Sequence, residues 1–558
     1  MALSWTFYRP FANSLAQDKV VCDGSFGLEG PIIANVFREM DLSSSSPKSF
    51  CATFLGLCDY PSVTPWVVPL PSQKIPKIRP KSRGRDPIKV VHFSDIHIDP
   101  LHAAGANDNC NKLICCRATD NPKRGGSNAG PNGDHKCDSP LSLEASLYTA
   151  ISQIVPDAAF SIFTGDIVDH AIWNTSVEYN KNSIVKAYES MSQALGLVYG
   201  TASNHEMHPT NAYQPNNVGD RTGWIYDLLS NQWSQWIGQA PATDAKHIGA
   251  FSTKYPSGNL RIISLNTNLY ERHNFWMYRN LEERDPNSQI AWLVTELDAA
   301  EKAGENVYIV GHMPFGEKYC LRNWSNYLHQ VVERYSSTIS AMFFGHTHVD
   351  HFEVSYSQTL DKSASDAFMV SYIAPSLTPT SGMPSFRVYD VDPDTFGILD
   401  VTTYIADMRN AAFQSTGPVW TKYYSAKESY GMAGALGPEA ELTPAFWHNV
   451  TEAFETKSEL FDAYIARKSR GWKVGQCDTE CKTKEICQIR AGRSQDNCFK
   501  PTPGFHLRKR SEIEARGEHD ECGVPISSQV FHALTMDLEL LKAFYSLVQE
   551  KAGFQGGN

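Results

Sequence analysis

Apolar residues are arranged in two ways along the chain. From Ile88 to about Tyr404, short runs rich in Val, Ile and Phe alternate with amphipathic stretches such as SQIAWLVTELDAAEKAG. Runs of four to six apolar residues read as buried strands and the stretches between them as helices, which predicts an α/β unit. Outside that span the periodicity is helical. In PIIANVFREM the residues Ile33, Val36, Phe37 and Met40 fall on one helical face, and FWHNVTEAFETKSELFDAYIARKSRGW continues that pattern after Tyr404. The last stretch, VFHALTMDLELLKAFYSLVQEKAGF, carries an apolar stripe that packs on the α/β unit or meets a membrane. Four segments result: a helical segment 1–64, a proline-rich basic linker 65–87, an α/β unit 88–404 and a helical, cysteine-rich unit 405–558.

Each predicted strand stops at residues able to bind metal. KVVHFSDIHIDP ends in Asp95 and His97, and AFSIFTGDIVDH in Asp166 with His170 four residues on. GLVYGTASNHE ends in Asn204 and His205, NVYIVGHMP in His312, and SAMFFGHTHVD in His346 and His348. Alternate residues of an extended segment project to one face, so an HxH pair can aim both rings at one point. In open α/β sheets, sites form beyond the carboxyl ends of strands, and five such ends converge on one pocket. Imidazole and carboxylate together suit zinc, with manganese or iron as alternatives.

Composition narrows the reading. The 558 residues are 42% hydrophobic and 20% charged, the balance of a soluble globular chain of several units. A net charge of -11 argues against a broad nucleic-acid surface. No apolar run is long enough to span a bilayer. Thirteen cysteines in tight groups point to disulfides and an oxidising compartment, since no paired CxxC units of a zinc finger occur. Sequons at Asn174, Asn323 and Asn449 agree with secretion, whereas the N-terminal MALSWTFYRPFANSLAQ lacks the apolar core of a signal peptide. The linker's Lys74, Lys77, Arg79, Lys81, Arg83 and Arg85 form either a solvated face or an attraction for anionic lipid.

The order SDIHID, TGDIVDH, SNHE, GHMP and FFGHTHVD, with ISLNTN, HNFW and FEVSY, resembles the acid sphingomyelinase family of the calcineurin-like metallophosphoesterase superfamily. That resemblance implies a four-layer α/β/β/α sandwich, preceded by a partial saposin-like helical segment and followed by a helical, disulfide-containing domain. It implies two zinc ions, one held by Asp95, His97 and His348 and the other by Asn204, His312 and His346. Asp166 would bridge them, one carboxylate oxygen to each ion. The nucleophile would be a metal-activated hydroxide, with His170 as general acid and His205 stabilising the phosphoryl group. An acid with an ordinary pKa near 6.5 suits an acidic, lysosomal or secreted setting. The implied substrate is sphingomyelin, with nucleotides or other small phosphodiesters as the alternative, and a lipid-binding protein with an inactive site as a third reading. Peripheral membrane contact and a monomeric state go with it.

The resemblance also implies bridges Cys110–Cys115, Cys116–Cys137, Cys477–Cys481 and Cys487–Cys498, although sequence alone leaves three pairings open for the first four cysteines. Cys22, Cys51, Cys58, Cys320 and Cys522 are left without assigned partners, and half a saposin framework has doubtful independent stability. Three departures stand out. Ser203 replaces a glycine and would be strained if that position needs a positive φ. Tyr270 replaces the half-cystine expected to pair with Cys320, and His273 replaces a glutamate near the headgroup.

Overall fold

A computed structural model describes residues 19–71 and 81–501, apart from 111, 121–127, 358–359, 435 and 438–439, together with residues 539 and 542. Lys74, Lys77, Arg79, Cys522 and the C-terminal apolar stripe lie outside the described residues.

The alternating pattern from Ile88 onward folds into two six-stranded mixed sheets. The strands in chain order are β1 (Ile88–Phe93), β2 (Phe160–Phe163), β3 (Val198–Gly200), β4 (Phe251–Lys254), β5 (Leu260–Ser264), β6 (Asn306–Val310), β7 (Ile339–Phe344), β8 (His351–Tyr356), β9 (Ala367–Ile373), β10 (Ser385–Val391), β11 (Ile398–Ala406) and β12 (Trp420–Ser425). One sheet runs β12-β11-β10-β1-β2-β3 and the other β4-β5-β6-β7-β9-β8. β1, β2 and β3 are parallel, as are β5, β6, β7 and β9.

Strand alternation sorts the side chains into layers. His92 on β1 points inward, its ring 5.7 Å from Phe343 of the opposite sheet, and Tyr389 meets the same ring at 5.1 Å. The next residue, Phe93, points outward to Tyr148 of the helix Leu141–Ile154. On the far side the helix Arg322–Arg334 covers β9 through His329 and Phe368. The result is the four-layer sandwich.

The flanking segments are built into this core. The first sheet continues past residue 404, because β11 ends at Ala406 and β12 pairs beside it, so the catalytic unit expected over 88–404 gains an edge strand. The helix Pro444–Thr456 then packs on the second sheet, with Trp447 4.2 Å from Phe352 and hydrogen-bonded to Tyr372. At the other end the helix Lys19–Glu39 lies against Trp173, and Phe54 stacks on Phe275 at 4.7 Å. Its Val21, Phe26, Ile32, Ile33 and Val36 join one continuous hydrophobic core with the sheets. The described part of the N-terminal segment is therefore packed into the core of the α/β unit. Cys51 and Cys58, left without assigned partners by the sequence, pair with each other, and the four bridges implied by the resemblance form.

Candidate metal centre

Seven side chains leave the carboxyl ends of β1, β2, β3, β6 and β7 and meet in one buried pocket. Asp95, His97, Asp166 and His348 form one group whose ligand atoms lie within 4.8 Å of one another, and Asp166, His312 and His346 form a second. His97 Nε2 lies 3.1 Å from His348 Nε2, His348 Nε2 lies 3.5 Å from Asp95 Oδ1, and His346 Nδ1 lies 3.2 Å from His312 Nε2. Two nitrogens on one tetrahedral ion stand about 3.3 Å apart, so these spacings fit a cation between them. Asn204 Oδ1 joins the second group 2.7 Å from His312 Nε2. The expected ligand sets are thus brought together as two groups sharing Asp166.

One detail differs from expectation. Asp166 Oδ2 lies 3.1 Å from His312 Nε2 and 3.5 Å from His97 Nε2, so a single oxygen faces both groups. Oδ1 is occupied by the backbone N–H of His205 at 3.0 Å. The carboxylate does not present one oxygen to each half, because the main chain after β3 holds the other.

The turns that aim these groups are strained. Asp95, His97, Asp166, His346 and His348 have φ of 49°, 35°, 64°, 69° and 60°, the left-handed region that residues with a Cβ rarely adopt. Such positions cost about 1 kcal/mol or more each and persist where the surroundings over-determine them. Hydrogen bonds do so here: Asp95 accepts from His346 N at 3.0 Å, and Asp166 N donates to Ser203 Oγ at 2.6 Å. A Cβ at Gly345 would stand 2.0 Å from Ser94 Oγ, so only glycine lets β1 and β7 approach at the pocket. The position of Ser203 does not need a positive φ, so serine carries no strain there; its hydroxyl also donates to Glu206 and ties Asp166 to the turn.

Ring orientation and charge suit a dication. His97 Nδ1 donates to Val168 O at 2.8 Å and His312 Nδ1 to Thr164 O at 2.7 Å, which leaves both Nε2 lone pairs for the pocket. Burial, followed by neighbouring imidazoles, drives His97, His346 and His348 well below the ordinary histidine range. Burial opposes ionisation of Asp166, yet His312 and His205 outweigh it and hold the carboxyl well below its usual range. Burial carries Asp95 up to about 7. His312 is disfavoured by burial but raised to about 9 by Asp166 and Asp95, which marks a pocket whose carboxylates demand positive charge. Neutral imidazoles beside an ionised carboxylate are the state that binds metal.

His170 and His205 flank the groups. His170 lies 3.9 Å from His97, ring to ring, and 4.7 Å from His205. Its Nδ1 donates to Asp138 Oδ1 at 2.8 Å and its backbone N to Asp138 Oδ2 at 2.6 Å, while Thr378 Oγ1 donates to the same carboxylate. Burial would raise Asp138, but His170 keeps it below the usual range. His205 Nδ1 meets Asp169 O at 3.4 Å, and burial pushes His205 down to about 4.

Sequence reading missed Asp138. It follows Cys137 in a loop, away from any strand end, and the one available signal was a carboxylate next to a half-cystine. It also missed Tyr319, whose ring stands 4.7 Å from His346 and 4.8 Å below the Arg272 guanidinium. His273, one of the departures, is buried and held by Glu271, with Nδ1 3.1 Å from Oε1. Where a disulfide to residue 270 is missing, Glu271 and Cys320 pair through an antiparallel backbone bridge, and Tyr270 is stacked on Trp324 and hydrogen-bonded to Gln289.

Comparison with known proteins agrees with this geometry. Residues 88–350 match the model of the calcineurin-like phosphoesterase family. Sphingomyelin phosphodiesterase 1 of Caenorhabditis elegans is 31% identical over 504 residues, covering 87% of this chain and 86% of that protein. The Bos taurus sphingomyelin phosphodiesterase is 33% identical, covering 80% and 72%, and the Homo sapiens one 32% identical, covering 85% and 75%. The metallophosphoesterase fold implies a divalent metal centre, for which the two His- and Asp-lined groups sharing one carboxylate at the strand ends are the candidate ligands, and the chain belongs to the sphingomyelin phosphodiesterase family of metal-dependent hydrolases.

Proposed function

We propose that the protein hydrolyses sphingomyelin to ceramide and phosphocholine, using two zinc ions in an acidic lysosomal or extracellular setting. The observation that carries this reading is the pair of ligand groups joined at Asp166, with the Asp138–His170 pair at their edge. Asp95, His97 and His348 would hold one ion and Asn204, His312 and His346 the other, with Asp166 Oδ2 between them. Bound there, the dinuclear centre supplies an acidified water nucleophile and neutralises charge on the phosphoryl oxygens.

The chain's own groups supply the rest. The P–O bond to ceramide breaks as a water oxygen bonds to phosphorus, and the departing alkoxide takes a proton from His170 Nε2. Asp138 fixes the His170 ring through Nδ1, so Nε2 is the nitrogen that carries that proton. His205, at the edge of the same pocket, faces the phosphoryl group. A cleft of about 520 Å³ reaches Tyr319, Thr347 and Val349, the neighbours of His346 and His348, is otherwise lined largely by charged residues such as Lys318, Lys468 and Glu485, and offers room for the polar part of the substrate. Val20, Phe37, Leu42, Leu57 and Val67 are exposed on the N-terminal segment and would meet a lipid surface, with the protein acting as a monomer.

The deciding assay offers labelled sphingomyelin in detergent micelles or anionic vesicles beside nucleoside triphosphates, after elemental analysis of the metal. Faster turnover of sphingomyelin at about two zinc ions per chain is expected. A preference for nucleotides would overturn the substrate, and full activity in a metal-free preparation would overturn the chemistry.

A further inference from the structure

The C-terminal unit sends one side chain beneath the metal-facing loop. Arg470 follows the helix Ser458–Lys468 and is fully buried, with its own backbone at φ 53°. Its Nη1 donates to His348 O at 2.8 Å, to Lys468 O at 3.3 Å and to Ser381 O at 3.4 Å. Nε donates to Met383 O at 3.0 Å, and Nη2 reaches Ser376 Oγ at 3.5 Å. These partners are four main-chain carbonyls and one hydroxyl, drawn from the turn after β7, the segment between β9 and β10, and the C-terminal unit.

That placement bears on His348 in two ways. The His348 backbone is left-handed, at φ 60°, and its carbonyl accepts from Arg470 and from Ser376 N at 3.3 Å. The ring side is faced by Ser381, whose Oγ lies 3.5 Å from His348 Nδ1, and the Ser381 and Met383 carbonyls are held by the same guanidinium. One planar cation thus fixes the strained main chain of the histidine and the loop against its ring. Gly382 shows how tightly the parts are fitted: its φ is +156°, and a Cβ there would stand 2.5 Å from both Arg470 Cζ and Ser469 O. Two further ties secure the clamp. Asp350 N donates to Lys468 O at 2.9 Å, and Trp472 stacks at 4.3 Å on His135, whose Nδ1 donates to Pro379 O.

We infer that Arg470 is a positioning residue for the half of the metal centre formed by Asp95, His97 and His348, and that the C-terminal unit is thereby part of the metal site. This rests on the reading of His348 as a ligand. A guanidinium presents five donors in a rigid fork, which a lysine ammonium or an apolar side chain cannot reproduce. Groups that orient a metal ligand typically change metal affinity by about 10–100-fold when removed.

The test uses the full chain, titrated with zinc against a competing chelator so that the two binding steps are read separately from activity. Arg470→Met should weaken one of the two steps about 10–100-fold and leave the other within about two-fold, with Arg470→Lys recovering part of the loss. Gly382→Ala, which displaces the guanidinium from the opposite side, should weaken the same step, and it decides the matter if Arg470→Met does not fold. Wild-type affinity at both steps in the folded variants, or equal weakening of both, overturns the inference. His348→Ala separates the two readings. If it leaves both steps intact, the ligand assignment itself is wrong; if it abolishes one step while the Arg470 and Gly382 variants bind normally, only the clamp is wrong.

Discussion

The ligand histidines and the His170 edge are made of the same side chain in the same pocket, yet their second nitrogens are treated differently. His97 and His312 donate from Nδ1 to main-chain carbonyls, which are neutral and leave Nε2 a lone pair suited to a cation. His170 donates from Nδ1 to the Asp138 carboxylate, a charged partner that fixes the ring and leaves Nε2 facing the pocket. Under the proposed roles, the partner on the far side of these three rings, a carbonyl or a carboxylate, would separate holding metal from moving a proton. A third environment gives the baseline: His92, next to the end of β1, is hydrogen-bonded to the Tyr389 and Thr164 hydroxyls at 3.1 and 3.0 Å and lies in the core between the sheets.

The contrast can be broken most severely at Asp166. Asp166→Asn should remove both ions and lower kcat/KM by about 10³ or more, because one oxygen faces both groups; retention of a full metal complement would show that the halves are independent. His170→Gln comes next. It should slow sphingomyelin hydrolysis by about 10²–10⁴ with the metal content unchanged, and slow a substrate with an activated leaving group far less. Loss of metal in this variant would move His170 to the ligand side, which its closeness to His97 and His348 makes a real test.

A smaller effect is expected at Asp138→Asn, on the order of 10–10² in kcat with metal binding intact, since the ring remains but its carboxylate anchor is neutral. An effect equal to that of His170→Gln would mean that Asp138 does more than orient the ring.

The smallest effect belongs to His92. Burial first, and Arg387 second, hold it well below 6.5. The unfolded chain takes up a proton below about 6.5 that the folded chain refuses, so the contribution to stability is present above that pH and falls away on acidification, by up to about 1.4 kcal/mol per pH unit. His92→Gln should cost about 1 kcal/mol at pH 7 and less at pH 5 by urea unfolding, with activity per folded molecule unchanged. A gap that widens on acidification would show that His92 is charged in the fold.

The strand-end residues could be read in advance because they depend on local chemistry. A buried strand needs an apolar run, and the residues that stop it are where the backbone turns toward the pocket, so Asp95, His97, Asp166, Asn204, His312, His346 and His348 stood out by their place in the pattern. The bridges Cys110–Cys115 and Cys116–Cys137 were legible by resemblance, whereas Cys51–Cys58 was not, because the expected framework assigned those residues other partners.

What the linear order left open depends on contacts between distant segments. Asp138 is 32 residues from His170 and belongs to a loop with no apolar pattern, and Arg470 is 122 residues from the His348 carbonyl it holds. Neither pairing has a local signal, because each exists only once two sheets and a C-terminal helix have packed. The same holds for Asp166, whose residue type announced a ligand while the orientation of its two oxygens was set by the His205 backbone arriving from another strand. Residue types and their order along the strands thus name the candidate metal-binding groups. Packing assigns the partner of the second nitrogen, because hydrogen bonds are directional and short, and only the assembled fold brings the far side of the His97, His312 and His170 rings within 3 Å of a carbonyl or a carboxylate.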